Sequence, residues 1–133
     1  FRLYLSNGGP AYVPRKKYSP EQMIPMIHEW GGVAVMAHPN YFDSVEVDDA
    51  GIESRLERYI AMGIDGFEAW HPHVDKRLKR TLKRLARRHG LVLTGGSDSH
   101  GSWGNRPRVG GVTVGYSYVY ELLDRMVLRR GRL

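Results

Sequence analysis

An α/β fold with a parallel sheet is predicted by three short apolar segments that alternate with amphipathic helical stretches. The segments 33–38, 64–70 and 91–96 are each too short for a helix and are bounded by Gly or Pro, as is typical of buried strands. Helical patterns cover 50–62 and 74–89, between these strands. Strands that alternate with helices form βαβ units, in which the strands run parallel.

The first and last parts of the chain extend this pattern. A helix over 19–30 is predicted because Ser19 and Gln22 have the spacing of a capping box. An alternating stretch over 112–119 predicts a further strand, and 120–130 a final helix. The helix over 74–89 is marked by an apolar stripe of Val74, Leu78, Leu82 and Leu85.

Composition limits the function classes. The chain has 133 residues, of which 41% are hydrophobic and 26% charged, as expected for one globular domain. Its formal net charge of +6 favours anionic partners. The absence of Cys excludes disulfides and thiolate metal sites. No apolar run has the length of a membrane span and no leader opens the chain, so we expect a cytoplasmic protein without a membrane partner.

Polar side chains follow each predicted strand at its carboxyl end. They are His38 after the first strand, Glu68, His71 and His73 at the second, and Asp98 and His100 after the third. Ligands of parallel sheets bind at this end, so the clusters predict a metal or phosphate site. Asp98 and His100 would point to the same side of an extended segment, and their oxygen and nitrogen donors suit Zn, Mn or Fe. Singly, each residue could instead belong to a turn, a helix cap or an exposed loop.

Other polar residues allow two interpretations. His28 and His89 lie within helical segments and are interpreted as structural. The basic residues of 74–89 lie opposite the apolar stripe, which indicates a solvated helix face or a contact surface for a polyanion. Arg106 is close in sequence to the predicted site and could contact phosphate or belong to a turn.

Each of the three polar clusters lies within a sequence motif, and the three motifs follow one another along the chain. The segments 31–39 (GGVAVMAHP), 66–73 (GFEAWHPH) and 94–101 (TGGSDSHG) resemble the later motifs of the PHP (polymerase and histidinol phosphatase) family of metal-dependent phosphoesterases. The segment 10–15 also resembles the stretch that precedes the A-H-P motif in the nucleotide-phosphatase-like branch. The resemblance covers nearly the whole chain. Ser99 departs from the Phe that is frequent in this branch.

The resemblance implies a distorted, TIM-like, seven-stranded β/α barrel with two or three divalent metal ions (Mn, Zn or Fe) at its carboxyl-terminal rim. It maps His38, Asp98 and His100 onto metal ligands. Glu68 and His73 occupy positions to which we assign catalytic roles, as groups in contact with the substrate phosphate or with the ligands. We expect His71, Arg15 and Arg106 to bind the substrate.

The early motifs of the family, an H-x-H pair with a following Asp and a later T-D-H histidine, do not occur in the sequence. The whole chain, 1–133, therefore resembles only the carboxyl-terminal half of a PHP domain. The implied activity of the complete protein is hydrolysis of phosphorylated small molecules, nucleotides or short oligonucleotides. We expect the 133-residue chain alone to bind metal weakly and to have little activity.

The sequence also allows two other hypotheses about function. The positive charge and the basic helix would also suit a non-catalytic module that binds nucleic acid. A half-domain could instead pair with a second chain.

Overall fold

A computed structural model of the protein describes residues 2–14, 16–40, 49–101 and 108–131. The strands are β1 (Val35–Met36), β2 (Gly66–Trp70) and β3 (Val92–Gly95). The helices are α1 (Arg2–Leu5), α2 (Pro20–Glu29), α3 (Asp49–Ala61), α4 (Lys76–His89) and α5 (Tyr116–Arg130). One helix connects each pair of consecutive strands, which confirms the predicted alternation. No helix in these described ranges is both long and apolar enough to cross a bilayer.

The three strands form one parallel sheet in the order β1-β2-β3. Glycine allows β2 and β3 to approach closely at two points. A Cβ on Gly66 would lie 2.3 Å from the carbonyl oxygen of Val92, and one on Gly95 would lie 2.4 Å from Cβ of Trp70. The pairing of β2 with β3 becomes irregular between Glu68 and Trp70, at the carboxyl end of the sheet.

Helix α4 forms where the sequence predicts it. Asp75 begins it by accepting a hydrogen bond from the backbone N–H of Leu78 at 2.7 Å, and Gly90 ends it with a φ of 64°. All four residues of its predicted apolar stripe are buried, and Leu82 and Leu85 are fully enclosed together with Phe67 of β2. The hydrophobic core therefore lies between this helix and the central strand.

The strand predicted over 112–119 is wrong. Residues 112–115 form no strand, and α5 begins at Tyr116 after the N-cap Gly115. Aromatic and β-branched residues favour strands, but tertiary packing overrides this preference. Tyr118 packs on Trp70 with ring centroids 4.3 Å apart, and the less exposed positions then recur with helical spacing. They are Tyr118, Leu122, Arg125, Met126 and Arg129.

A buried carboxylate joins the elements at the amino end of β2. Asp65 Oδ2 lies 2.8 Å from His28 Nε2 and accepts the backbone N–H of Ala34 at 2.8 Å. Its Oδ1 accepts a hydrogen bond from Arg129 of α5. The structural interpretation of His28 is confirmed. His89 Nε2 lies 3.2 Å from Glu57 Oε2 of α3, which agrees with a structural role there as well.

Candidate metal and phosphate site

Six of the residues singled out by the sequence lie at the carboxyl end of the sheet. Glu68 is within β2, and the others follow the three strands by one to five residues: His38, His71, His73, Asp98 and His100. Ring contacts and short polar distances connect them from strand to strand. Arg15 and Arg106, predicted to bind substrate, lie outside the described residues.

His38 is fixed by the neighbouring strand. Its backbone N–H donates a hydrogen bond to Glu68 Oε2 at 2.7 Å. Its ring centroid lies 5.4 Å from that of His71. The carboxylate of Glu68 therefore positions the backbone of His38, which holds the imidazole at the rim beside β2.

His71 is the buried polar group of the site. Its side chain is 1% exposed, so the alternative that it belongs to an exposed loop is wrong for this residue. His71 Nδ1 accepts the backbone N–H of His73 at 3.2 Å, and this bond assigns the proton of the neutral ring to Nε2. Nε2 has no hydrogen-bond partner among the described residues, and Asp98 Oδ2 lies 3.5 Å away. A buried donor without a partner costs about 1–3 kcal/mol, which indicates that a ligand is expected there.

Asp98 and His100 turn towards each other after β3. His100 Nδ1 lies 2.6 Å from the backbone carbonyl oxygen of Asp98 and 3.8 Å from its Oδ1. Donation to that carbonyl assigns the proton to Nδ1 and leaves a lone pair on Nε2, the arrangement typical of histidines that bind metal. The segment is not extended as predicted, because Asp98 has a φ of 51°.

Backbone conformation distinguishes two of the three predicted metal ligands. Within residues 2–14, 16–40, 49–101 and 108–131, the only non-glycine residues with positive φ are His38, at 30°, and Asp98, at 51°. Such conformations cost free energy and concentrate at sites where function requires a side chain in one position. Two of the three metal ligands predicted from the sequence, His38 and Asp98, therefore have strained backbone conformations.

The imidazole and carboxylate side chains at this rim are chemical groups that bind divalent cations. Imidazole nitrogens and a carboxylate oxygen favour Zn, Mn or Fe, and the Nε2 lone pair of His100 is oriented away from its backbone bond. The side chains do not form a complete metal site among the described residues, however. No three His, Asp or Glu side chains of the described segments are close enough together to hold a metal ion. These residues could supply part of a metal centre, and further ligands would have to complete it.

Proteins of known activity are similar over most of the chain. A phosphoribosyl 1,2-cyclic phosphate 1,2-diphosphodiesterase of Eggerthella lenta is 33% identical over 110 residues, or 83% of this chain. A 3′,5′-nucleoside bisphosphate phosphatase of Chromobacterium violaceum is 37% identical over 119 residues, or 88% of the chain. The 5′-3′ exoribonuclease Rnm of Escherichia coli is 31% identical over 100 residues, or 75% of the chain. No family model matches.

The chain is also similar to a solved structure. A protein of Bifidobacterium adolescentis assigned as a metal-dependent phosphoesterase superposes on 90% of this chain with a TM-score of 0.69 and 31% identity. The three relatives are phosphoesterases, which agrees with the resemblance of this chain to the PHP family of metal-dependent phosphoesterases. That resemblance rests on the motifs around His38, Glu68 and Asp98. The chain spans 39%, 38% and 33% of the three relatives and 41% of the solved structure.

Proposed function

We propose that the chain forms the carboxyl-terminal half of a PHP domain whose complete form hydrolyses phosphate esters of nucleotides or short oligonucleotides. The observation that carries this proposal is the position of His38, Asp98 and His100, which follow the carboxyl ends of parallel strands of one sheet, two of them in strained backbone conformations. The activities of the relatives, each of them a phosphoesterase, support it.

The proposed fold of the complete domain is a seven-stranded β/α barrel, to which this chain contributes β1, β2 and β3. Two observations support it. The strands are parallel with one helix between each pair, as in a barrel. The relatives also have more than twice the length that this chain spans, which is enough for the remaining strands and metal ligands.

His38, Asp98 and His100 are the proposed metal ligands, with Mn, Zn or Fe as the ions and two or three of them in the complete site. Bound metal ions would acidify a water molecule and neutralise charge on the phosphate oxygens. The chain contributes by placing its donors. The carbonyl of Asp98 orients the ring of His100, and Glu68 orients His38 through its backbone. We therefore assign Glu68 a positioning role.

His71 is the proposed phosphate contact. Its Nε2–H is buried and has no hydrogen-bond partner among the described residues, and the nearest carboxylate oxygen, Asp98 Oδ2, lies 3.5 Å away, so a phosphate oxygen at the rim would receive this hydrogen bond. His73 lies beside it, with ring centroids 5.4 Å apart, and is exposed. It also lines a small cavity of ≈120 Å³ at the start of α4. From there it could exchange a proton with the leaving group.

The test is to replace ligands in the full-length protein. Asp98→Asn and His100→Ala should each lower kcat/KM for a nucleoside bisphosphate by roughly 10²–10³-fold, because loss of a ligand removes the electrostatic stabilisation of the transition state. Calorimetric titration with Mn²⁺ should show weaker binding in both variants. His89→Gln is the matched control, since His89 lies at the far end of α4 and should retain activity. Wild-type activity and Mn²⁺ affinity in both ligand variants would refute the proposal.

A further inference from the structure

Helix α4 presents a basic surface that the proposed phosphoesterase site does not use. The cations of its outer face are Lys76, Arg77, Lys79, Arg80, Lys83, Arg84, Arg87 and Arg88. Most of these cations form two rows, and within each row a cation recurs at every fourth residue. Successive cations of a row therefore lie about 6 Å apart along the helix axis. The face is about 18 Å long, a length over which one strand of a duplex carries roughly five phosphates.

Part of this charge is neutralised by α3. Arg84 donates to both oxygens of Glu53, at 2.8 and 2.5 Å, and Arg88 Nη1 lies 3.5 Å from Glu57 Oε1. The hydrogen bond from Arg84 holds the pKa of the Glu53 carboxyl below its ordinary value, so this pair stays ionised at neutral pH. Arg80 and Arg87 form no ion pair within the described parts of the chain, and they retain their full charge.

The basic surface contains a shallow, open depression. Its volume is ≈490 Å³, and the described residues that line it are all cations: Arg80, Lys83, Arg84, Arg87 and Arg88. Like charges that gather around a depression repel one another, and an anion seated in it relieves that repulsion.

An aromatic contact connects the basic surface to the candidate site. The ammonium groups of Lys83 and Lys79 lie 5.1 and 5.9 Å from the ring centroid of Trp70. This cation–π contact directs both lysines towards the carboxyl end of β2. Trp70 ends β2 and immediately precedes His71 in the chain, so the basic surface contacts the strand that leads into the candidate site.

We propose that the outer face of α4 binds the sugar–phosphate backbone of a single-stranded nucleic acid. A sugar–phosphate backbone carries a row of negative charges, which two parallel rows of cations along one helix can contact at several points. A membrane fits less well, because interfacial helices insert an apolar face and that of α4 is buried in the core through Leu78, Leu82 and Leu85. A protein partner fits less well too, since the described residues that line the depression are all charged, and the cores of protein–protein interfaces are depleted in charged residues.

The test measures binding separately from catalysis. Fluorescence anisotropy of a labelled single-stranded RNA of about 12 nucleotides, within the ~4–16-nucleotide range of known single-strand sites, is recorded with full-length protein and chelator. The triple variant Arg80→Gln, Lys83→Gln, Arg87→Gln should weaken binding about tenfold at low salt. It should also reduce the slope of log K against log salt by about 2, because each lost phosphate contact is worth ~0.7 for a single strand.

The matched control removes three charges elsewhere, by Lys17→Gln, Arg58→Gln and Arg130→Gln on exposed positions. It should leave affinity and salt slope near those of the wild type, and circular dichroism should show both variants folded. Equal weakening by the two triple variants would overturn the proposal, as would salt-independent RNA binding or binding to phosphatidylserine vesicles without binding to RNA. Chelator and an Asp98→Asn background should leave RNA binding unchanged, which separates this inference from the proposed hydrolytic function.

Discussion

The left-handed backbone at Asp98 gives a way to separate function from stability. A side chain at a φ of 51° costs free energy that glycine does not incur. Nothing that the structure describes requires the carboxylate of Asp98 for packing, since its side chain is 46% exposed. The residue is therefore expected to be retained for its chemistry, at some expense in stability.

We accordingly predict that Asp98→Gly in the full-length protein raises the free energy of unfolding by up to about 1 kcal/mol while abolishing the proposed hydrolysis. Urea denaturation and a phosphate-release assay on the same preparations measure the two effects. Ser97→Gly, one residue earlier and without positive φ, should be neutral or destabilising instead. A clear loss of stability in Asp98→Gly would show that the carboxylate supports the fold.

At the scale of elements, the close approach of β2 and β3 controls the geometry of the rim. Gly95 ends β3 directly before the segment that carries Asp98 and His100, and its α-hydrogen faces Trp70. Any side chain there must separate the two strands at the edge where the candidate site lies.

Gly95→Ala should therefore destabilise the protein by about 1–3 kcal/mol, the usual range for a forced steric overlap in a packed interior. The neighbouring Gly96→Ala is a stringent control, because a Cβ at Gly96 would meet no atom within 4 Å. Urea midpoints of the two variants measure the difference. Equal midpoints would mean that the strands can separate at no cost.

Helices α4 and α5 show what the sequence can and cannot predict. Helix α4 has a buried stripe, a capping Asp75 and a terminal Gly90, and all three signals agree, so its position was predictable. Helix α5 has no fully buried residue and begins with Tyr116, Tyr118 and Tyr120, whose alternation is typical of a strand. Only the contact of Tyr118 with Trp70, 48 positions earlier in the chain, decides its conformation.

The candidate site was predictable in position but not in detail. Parallel strands bring their carboxyl ends together whatever their sequence, so the clusters of His38, His71 and Asp98 were expected to meet. The positive φ of Asp98 and the ring tautomers of His71 and His100 depend on tertiary contacts, which no local sequence pattern specifies. Asp65 did carry a signal that was missed: a lone carboxylate in a buried apolar run requires a partner.

At the scale of the whole molecule, the proposed metal centre needs more ligands than the described residues bring together. No three potential ligands come together in the described ranges, and the relatives are more than twice as long as the segments that match this chain. Within the described residues, β1 and β3 are the edge strands of the sheet.

The 133-residue chain on its own should therefore bind Mn²⁺ much more weakly than the full-length protein and should show little or no phosphoesterase activity. Calorimetry and a phosphate-release assay with and without chelator measure both properties, and circular dichroism establishes that the chain is folded. Turnover by the isolated chain that a chelator abolishes would contradict this expectation. Full-length protein prepared in the same way is the positive control.

The contact between Asp65 and Arg129 also bears on folding during synthesis. The two residues are 64 positions apart, and all three strands are synthesised before Arg129. Until then the buried carboxylate has only His28 and the backbone N–H of Ala34 as partners. A buried charge without its counter-ion is costly, so the sheet becomes fully stable only when α5 docks. These elements should therefore reach their full stability late in folding, in a cooperative step that the docking of α5 triggers.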